Sequence, residues 1–275
     1  MYESYWGLQR NPFENNSDPG FYYQSEAHQA SLLKLRYLIE QRKGAGLIVG
    51  GSGYGKSYLI SVLSQQLAEA AGPFVQLVFP QMSSAELLAY LAVELGAEES
   101  AVGSDAGGLD RTIRQLQHLL LHFNEHGRHP VIVVDEAHLI EDPQVFQSLR
   151  LLLNFQQQNG IALTLILAGQ QDLLSRVHRM PQFEDRIGVK CILRPMSYEE
   201  TLGYVTQRLQ FAGATRSLFE PAALDVLFEL SGGVPRKVNR LCDLGLLVGY
   251  ADGSDSVTAA QLEAVSEELT TVVPD

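Results

Sequence analysis

Leu47-Ile48-Val49-Gly50-Gly51-Ser52-Gly53-Tyr54-Gly55-Lys56-Ser57 is the stretch that decides how this chain is read. A short apolar run ends in a glycine-rich turn, and a lysine and a hydroxyl residue follow at once. The turn fits the spacing G-x-x-x-x-G-K-[ST] without departure. Its glycines permit backbone angles that aim amide N–H groups inward at phosphate oxygens. Lys56 supplies a positive charge for the β- and γ-phosphates of ATP, and the Ser57 hydroxyl can ligate Mg²⁺. A helix expected from Ser57 to Ala71 points its positive end at the same phosphates. Gly50, Gly51, Ser52, Gly53, Tyr54, Gly55, Lys56, Ser57 and Tyr58 are therefore the nucleotide-binding candidates.

Working outward, similar apolar runs recur at Phe74–Phe79, Val131–Val134, Ile161–Ala168 and Val189–Leu193. Runs this short and this apolar suggest strands buried on both faces, hence a mainly parallel sheet of five strands. Helical patterns lie between them. Ser83 with Glu86 forms a capping box, and Gly96 ends that helix. Asp110 is expected to cap the next one, which runs to Gly127. Asp142-Pro143 opens another. Residues 97–108 read as a surface loop. Strand and helix in alternation give an α/β fold of the phosphate-loop type, with the sheet flanked by helices. From about residue 197 the pattern turns helical: Ser197 with Glu200, Glu220-Pro221, Pro235, and Thr258 with Gln261 mark four starts. The expected organisation is an α/β nucleotide-binding domain with an N-terminal arm over 1–196 and a small all-helical lid over 197–275.

The run Val131–Val134 ends in Asp135-Glu136-Ala137-His138. In a parallel sheet, ligands bind at the carboxyl ends of the strands. Asp135 would hold the Mg²⁺ with Ser57, and Glu136 would polarise the attacking water. The tetrad also spells a helicase box, but such a helicase needs a second α/β nucleotide-binding domain, and only helical sequence follows. His138 reads as a packing or hydrogen-bonding residue. Gln170 ends the next apolar run; it is either a γ-phosphate contact or a turn residue. Pro235 at a helix start places Arg236 in the first turn, where a cation opposes the helix dipole unless an anion such as a γ-phosphate faces it. Arg186 precedes the last strand and is either an arginine finger for a neighbouring subunit or a surface residue; Arg179 and Arg150 are weaker candidates.

Composition narrows the classes. A hydrophobic fraction of 45% is ordinary for a globular chain. No stretch reaches the roughly 18 apolar residues of a membrane span, and the N-terminus lacks signal-peptide character, so a cytoplasmic location is expected. Cys191 and Cys242 are too few and too distant for a disulfide framework. The net charge of −12 repels nucleic acid unless basic residues segregate. Some local clustering exists: Arg176, Arg179, Arg186, Lys190 and Arg194 fall close together, and they could form a nucleic-acid patch.

Further strings are more specific. They are Tyr5-Trp6-Gly7-Leu8, Asn11-Pro12-Phe13, Asp18 to Tyr23, Ser25 to His28, Leu167-Ala168-Gly169-Gln170, and Gly232-Gly233-Val234-Pro235-Arg236 through Asp243. With the phosphate loop they make the chain resemble AAA+ ATPases of the general secretion pathway protein A (ExeA-type) family, over nearly its whole length. The resemblance implies an oligomeric ATPase serving assembly of a cell-envelope machine: a secretion system, a pilus or polysaccharide export. It implies that Pro12, Phe13 and Tyr23 line the adenine pocket, although those residues alone read equally as a packed arm. Full-length members add a transmembrane segment and a cell-wall-binding domain. This sequence ends at Asp275, so the expectation is a stand-alone member, or one that meets a membrane-bound partner peripherally at the inner membrane. The competing functions are a DNA-transposition regulator that binds DNA as an oligomer, and a non-hydrolysing nucleotide switch.

Overall fold

The computed structural model describes residues 1–14, 18–67, 72–103, 106–159 and 162–271. The chain divides into two compact units, one of residues 27–52 and 56–193 and one of residues 1–26, 53–55 and 194–275.

The first unit is built on β1 (Ala45–Val49), β2 (Phe74–Leu77), β3 (Val131–Val134), β4 (Thr164–Gly169) and β5 (Ile187–Ile192). They form one sheet in the order β2-β3-β4-β1-β5, and every pairing is parallel. Parallel neighbours require crossovers. These are supplied by α2 (Lys56–Leu67), α3 (Ser84–Glu94), α4 (Ala106–Glu125), α5 (Pro143–Asn159), α6 (Gln171–His178) and the short α7 (Pro181–Glu184). α1 (Glu26–Glu40) precedes the sheet and contributes all but its first residue to this unit. The three inner strands are buried along their whole length, whereas β2 and β5 at the edges expose alternate residues. That contrast is what burial on two faces produces.

Local signals place several helix ends. The Ser83 hydroxyl accepts from the Glu86 amide while the Glu86 carboxylate accepts from the Ser83 amide. Ser197 and Glu200 repeat the exchange. Three expectations need correction. Asp110 caps nothing: α4 begins at Ala106, and Asp110 pairs instead with Arg114 one turn on. The earlier start runs against the local propensity of Gly107-Gly108, and Asp110 lies inside the helix, where it forms the i,i+4 ion pair. β2 stops at Leu77, where its partner β3 stops at Val134, and Val78 and Phe79 project to solvent. β4 begins at Thr164 rather than Ile161, which itself lies outside the described residues.

The second unit packs α8 (Tyr198–Phe211), α9 (Pro221–Ser231), α10 (Pro235–Asp252) and α11 (Ala259–Thr271). An isolated bridge joins Phe219 to Val257. The N-terminal arm, expected with the α/β domain, belongs to this core. Trp6 is buried and its indole N–H donates to the Leu246 carbonyl at 2.9 Å. Phe13 packs edge-on against Phe219. Buried Arg208 donates to the Pro12 carbonyl at 2.5 Å and to the Glu14 carbonyl at 2.9 Å. The large apolar rings need a core, and the helices offer one. Gly233 ties the turn before α10 to the start of the unit. Its φ is +69°, its carbonyl accepts from the Met196 amide, and a Cβ there would stand 2.1 Å from the Met196 oxygen. No described helix is long and apolar enough to cross a membrane.

Candidate active site

The site grows from the carboxyl ends of β1, β3 and β4. β1 runs into Gly50, whose amide donates to the Gly169 carbonyl at the end of β4. Lys56 opens α2 and is only 5% exposed. Its ammonium donates to the carbonyls of Gly50 and Gly51 at 3.0 and 3.1 Å. A buried cation is tolerated only with such partners. The Ser57 hydroxyl, one residue on, donates to Asp135 Oδ2 at 2.7 Å.

Asp135 follows the last residue of β3 and is 2% exposed. Its amide donates to the Leu77 carbonyl, and its Oδ1 accepts from the Glu136 amide at 2.9 Å. Glu136 has φ 49° and ψ 32°, the left-handed conformation that side chains rarely adopt. Strain of this kind clusters at functional sites. The Glu136 carboxylate lies 3.3 Å from the buried Nδ1 of His138, outside hydrogen-bond geometry. Gln170 caps α6 with its main chain only, and its side chain faces solvent. β4 lies beside β3, which is the adjacency that a role for Gln170 requires.

One polar residue adds to those singled out from sequence. Gln76 on β2 brings its amide nitrogen 3.5 Å from Asp135 Oδ2. It is the one polar side chain in the apolar run Phe74–Phe79, and that was the available signal. His138, read from the sequence as a packing or hydrogen-bonding residue, is buried beside Glu136.

A hydroxyl and a buried carboxylate are hard oxygen donors, and Mg²⁺ takes one or two such ligands together with substrate phosphates. Ser57 and Asp135 fit that requirement. Among the described residues no group of three or more His, Cys, Asp or Glu side chains converges as a self-sufficient metal site.

Within the helical unit, Gly53 has φ +78°, its carbonyl accepts from the Arg236 amide at 3.3 Å, and a Cβ there would lie 2.8 Å from Arg236 Cβ. Pro12 and Phe13 are buried, and Tyr23 is half-buried against Tyr204. Arg186 donates through its guanidinium to Asn154 Oδ1 at 3.0 Å, and Arg150 donates to Gln182 at 2.6 Å. The basic cluster is largely met by local acceptors. Arg176 donates to the Ile140 carbonyl, Lys190 pairs with Glu184, and Arg194 pairs with Glu26. A nucleic-acid patch is not favoured by such pairing. Cys191 and Cys242 are free and buried, and burial pushes the Cys191 thiol up to about 11.

A parallel five-stranded sheet with a phosphate loop after β1 and an acidic pair after β3 defines a P-loop ATPase. A family model described as an AAA domain matches residues 39–177. The chain belongs to this family of ATP hydrolases. It is similar to the general secretion pathway protein A of Aeromonas hydrophila, with 32% identity over 272 residues, 98% of this chain and 48% of that protein. The chain thus spans about half the length of this curated relative. Among solved structures, the ORC2 protein of Aeropyrum pernix matches at a TM-score of 0.74 and 18% identity, over 98% of this chain and 74% of that one. Cdc6p of Pyrobaculum aerophilum matches at 0.73 and 14% identity, over 96% of this chain and 74% of its own. At such identities the likeness is one of fold.

Proposed function

We propose that this chain binds ATP at Gly50–Tyr58 and hydrolyses it to drive or regulate assembly of a cell-envelope machine. The observation that carries the catalytic part is the 2.7 Å bond between the Ser57 hydroxyl and the buried Asp135 carboxylate. It joins residues 78 positions apart, the pair that the chemistry needs for Mg²⁺.

Ser57 and Asp135 would hold Mg²⁺, which would supply positive charge to the phosphates there. The loop amides and Lys56 orient the phosphates and offset their charge. Glu136, whose carboxylate is partly exposed at the end of β3, accepts a proton from the attacking water as the phosphoryl group transfers. Gln170 positions that water or touches the γ-phosphate. Pro12, Phe13 and Tyr23 border the adenine, with the arm's main chain as the contact where the rings are packed away. Arg236 reads the γ-phosphate from the first turn of α10. Arg186 acts in trans in a homo-oligomer, leaving Asn154 to do so. The similarity to general secretion pathway protein A supports a role in secretion; a membrane-bound protein partner and a peripheral location at the inner membrane are part of the same proposal.

Replacing Glu136 with Gln tests the mechanism. ATP binding should persist while turnover falls by about 100-fold or more, since general-base assistance contributes roughly 10²–10⁴. Unchanged turnover in steady-state assays with purified protein would sink the assignment of Glu136.

A further inference from the structure

Beyond the nucleotide site, the carboxyl side of the sheet unit carries a groove of mixed apolar and polar lining with an acidic rim. Val78 and Phe79 leave β2 at 60% and 63% exposure. Consecutive large apolar residues this exposed are what a soluble surface avoids unless something covers them. Pro80 and Met82 continue into a groove of about 420 Å³, whose opposite wall is Leu139, itself exposed. Gln81, Ser83, Glu86, Glu141 and Asp142 complete the lining, and none of the residues lining it is a lysine or arginine.

Both walls lead straight to the candidate catalytic carboxylates. On one side, Gln76 reaches toward Asp135 and the Leu77 carbonyl accepts from the Asp135 amide at 2.8 Å; Val78 comes next. On the other, a 3-10 turn over Ala137–Leu139 starts at strained Glu136, and the Leu139 amide donates to the Glu136 carbonyl at 2.8 Å. The Arg176 guanidinium donates to the carbonyl of Ile140, which buttresses that turn. A ligand seated between Met82 and Leu139 therefore bears on the two segments that orient Asp135 and Glu136.

We propose that this groove docks a peptide segment of a partner protein that combines lysine or arginine with large aliphatic or aromatic residues, and that docking changes the rate of ATP hydrolysis. The apolar residues of such a segment cover Met82, Leu139 and the neighbouring Phe79. Its cations meet Glu141, Asp142 and Glu86. Charge complementarity selects the basic segment and steers its approach, while the apolar contact supplies most of the affinity. The coupling rests on the hydrolytic reading of Glu136; the docking does not.

The test uses the whole chain and two short synthetic peptides. One alternates lysine with leucine and phenylalanine; the other carries glutamate in place of lysine. Binding is read by fluorescence anisotropy without nucleotide, and ATP turnover is read separately at saturating peptide. The basic peptide should bind with salt-dependent affinity, and the acidic one should bind at least about 10-fold more weakly. Glu141→Lys and Leu139→Ser should each weaken the basic peptide by about 5-fold or more, within the range for a single interface contact. Circular dichroism verifies folding, and Phe79→Ser gives a second apolar variant that lies off the turn at Glu136. Equal binding of both peptides, or full affinity in Leu139→Ser and Phe79→Ser, overturns the docking surface. Self-association that Phe79→Ser abolishes, without peptide binding, assigns the groove to a second copy and overturns the proposal as well. Peptide binding with turnover unchanged overturns the coupling. Glu136→Gln should still bind the peptide, so a failure of the hydrolytic reading is told apart from a failure of docking.

Discussion

The two ends of the sheet treat buried polar groups in opposite ways. At the amino ends, His129 just before β3 meets Thr164 at the start of β4, with Nε2 and Oγ1 2.8 Å apart. Both are buried, and burial first, then the charge of Arg42, pushes the His129 pKa down to about 4. That end keeps its polar pair neutral and closes the sheet. At the carboxyl ends, a lysine and an aspartate are buried as well, yet each faces groups that a phosphate or a cation would also use. One end is built for stability and the other for chemistry. Substitutions at the two ends should therefore separate in what they change.

The largest effect belongs to Lys56→Ala. Removing the only side-chain cation of the loop should cut ATP turnover by about 100-fold or more, as loss of one preorganised electrostatic group does, and weaken nucleotide binding. Stability should change less than turnover, because the Lys56 partners at Gly50 and Gly51 are loop carbonyls. Turnover assays, nucleotide titration and urea melts decide it. A variant that unfolds at far lower urea, with activity lost only for that reason, would put the carboxyl end in the same class as the amino end.

The second effect is a pH dependence at the amino end. An unfolded histidine titrates near 6.5. Folded His129 stays neutral down to about 4. Its contribution is fully present above about pH 6.5 and is lost as pH falls toward 4, because only the unfolded chain takes up the proton in that window. The whole span is worth about 3 kcal/mol at most. Urea midpoints at pH 7 and pH 5 should differ less in His129→Gln than in the parent chain. Identical pH slopes would show that His129 is not the group responsible.

How much of this was open to sequence reasoning depends on range. Lys56-Ser57 and Asp135-Glu136 are legible because each pair sits in a local pattern, a glycine turn or the end of an apolar run. That Ser57 and Asp135 face each other is expected from the two patterns together, but their direct 2.7 Å hydrogen bond is not legible. It depends on β1 lying one strand away from β3, with β4 between them, and strand order is not encoded by burial periodicity. Gln76 was visible as the odd polar residue in a strand, but its partner followed only from the pairing of Gln76 with Val133. The arm was misplaced for the same reason. Trp6 and Phe13 announce a need for burial without naming the core that receives them, and the helical unit does. Asp110 failed through local ambiguity, since a capping-type residue inside a helix also serves as an ion-pair partner, here for Arg114.

The smallest effect isolates strain at the carboxyl end. The phosphate loop turns through positive φ at Gly53 and Gly55, where a missing Cβ makes it cheap. β3 turns through positive φ at Glu136, where a side chain must be held in place. Left-handed backbone costs a residue with a Cβ roughly 1–2 kcal/mol. Glu136→Ala and Glu136→Gly both remove the carboxylate, so both should lose turnover. They differ in one respect only, since alanine keeps the Cβ and glycine does not. Glycine also has the more disordered unfolded state, which takes back roughly 0.5–1 kcal/mol. The glycine variant should therefore be the more stable of the two by about 0.5–1 kcal/mol, read as a shift in urea midpoint at constant slope. Equal midpoints would mean that Glu136 relaxes out of the left-handed region at little cost, and that the carboxyl end stores no strain for the chemistry to use.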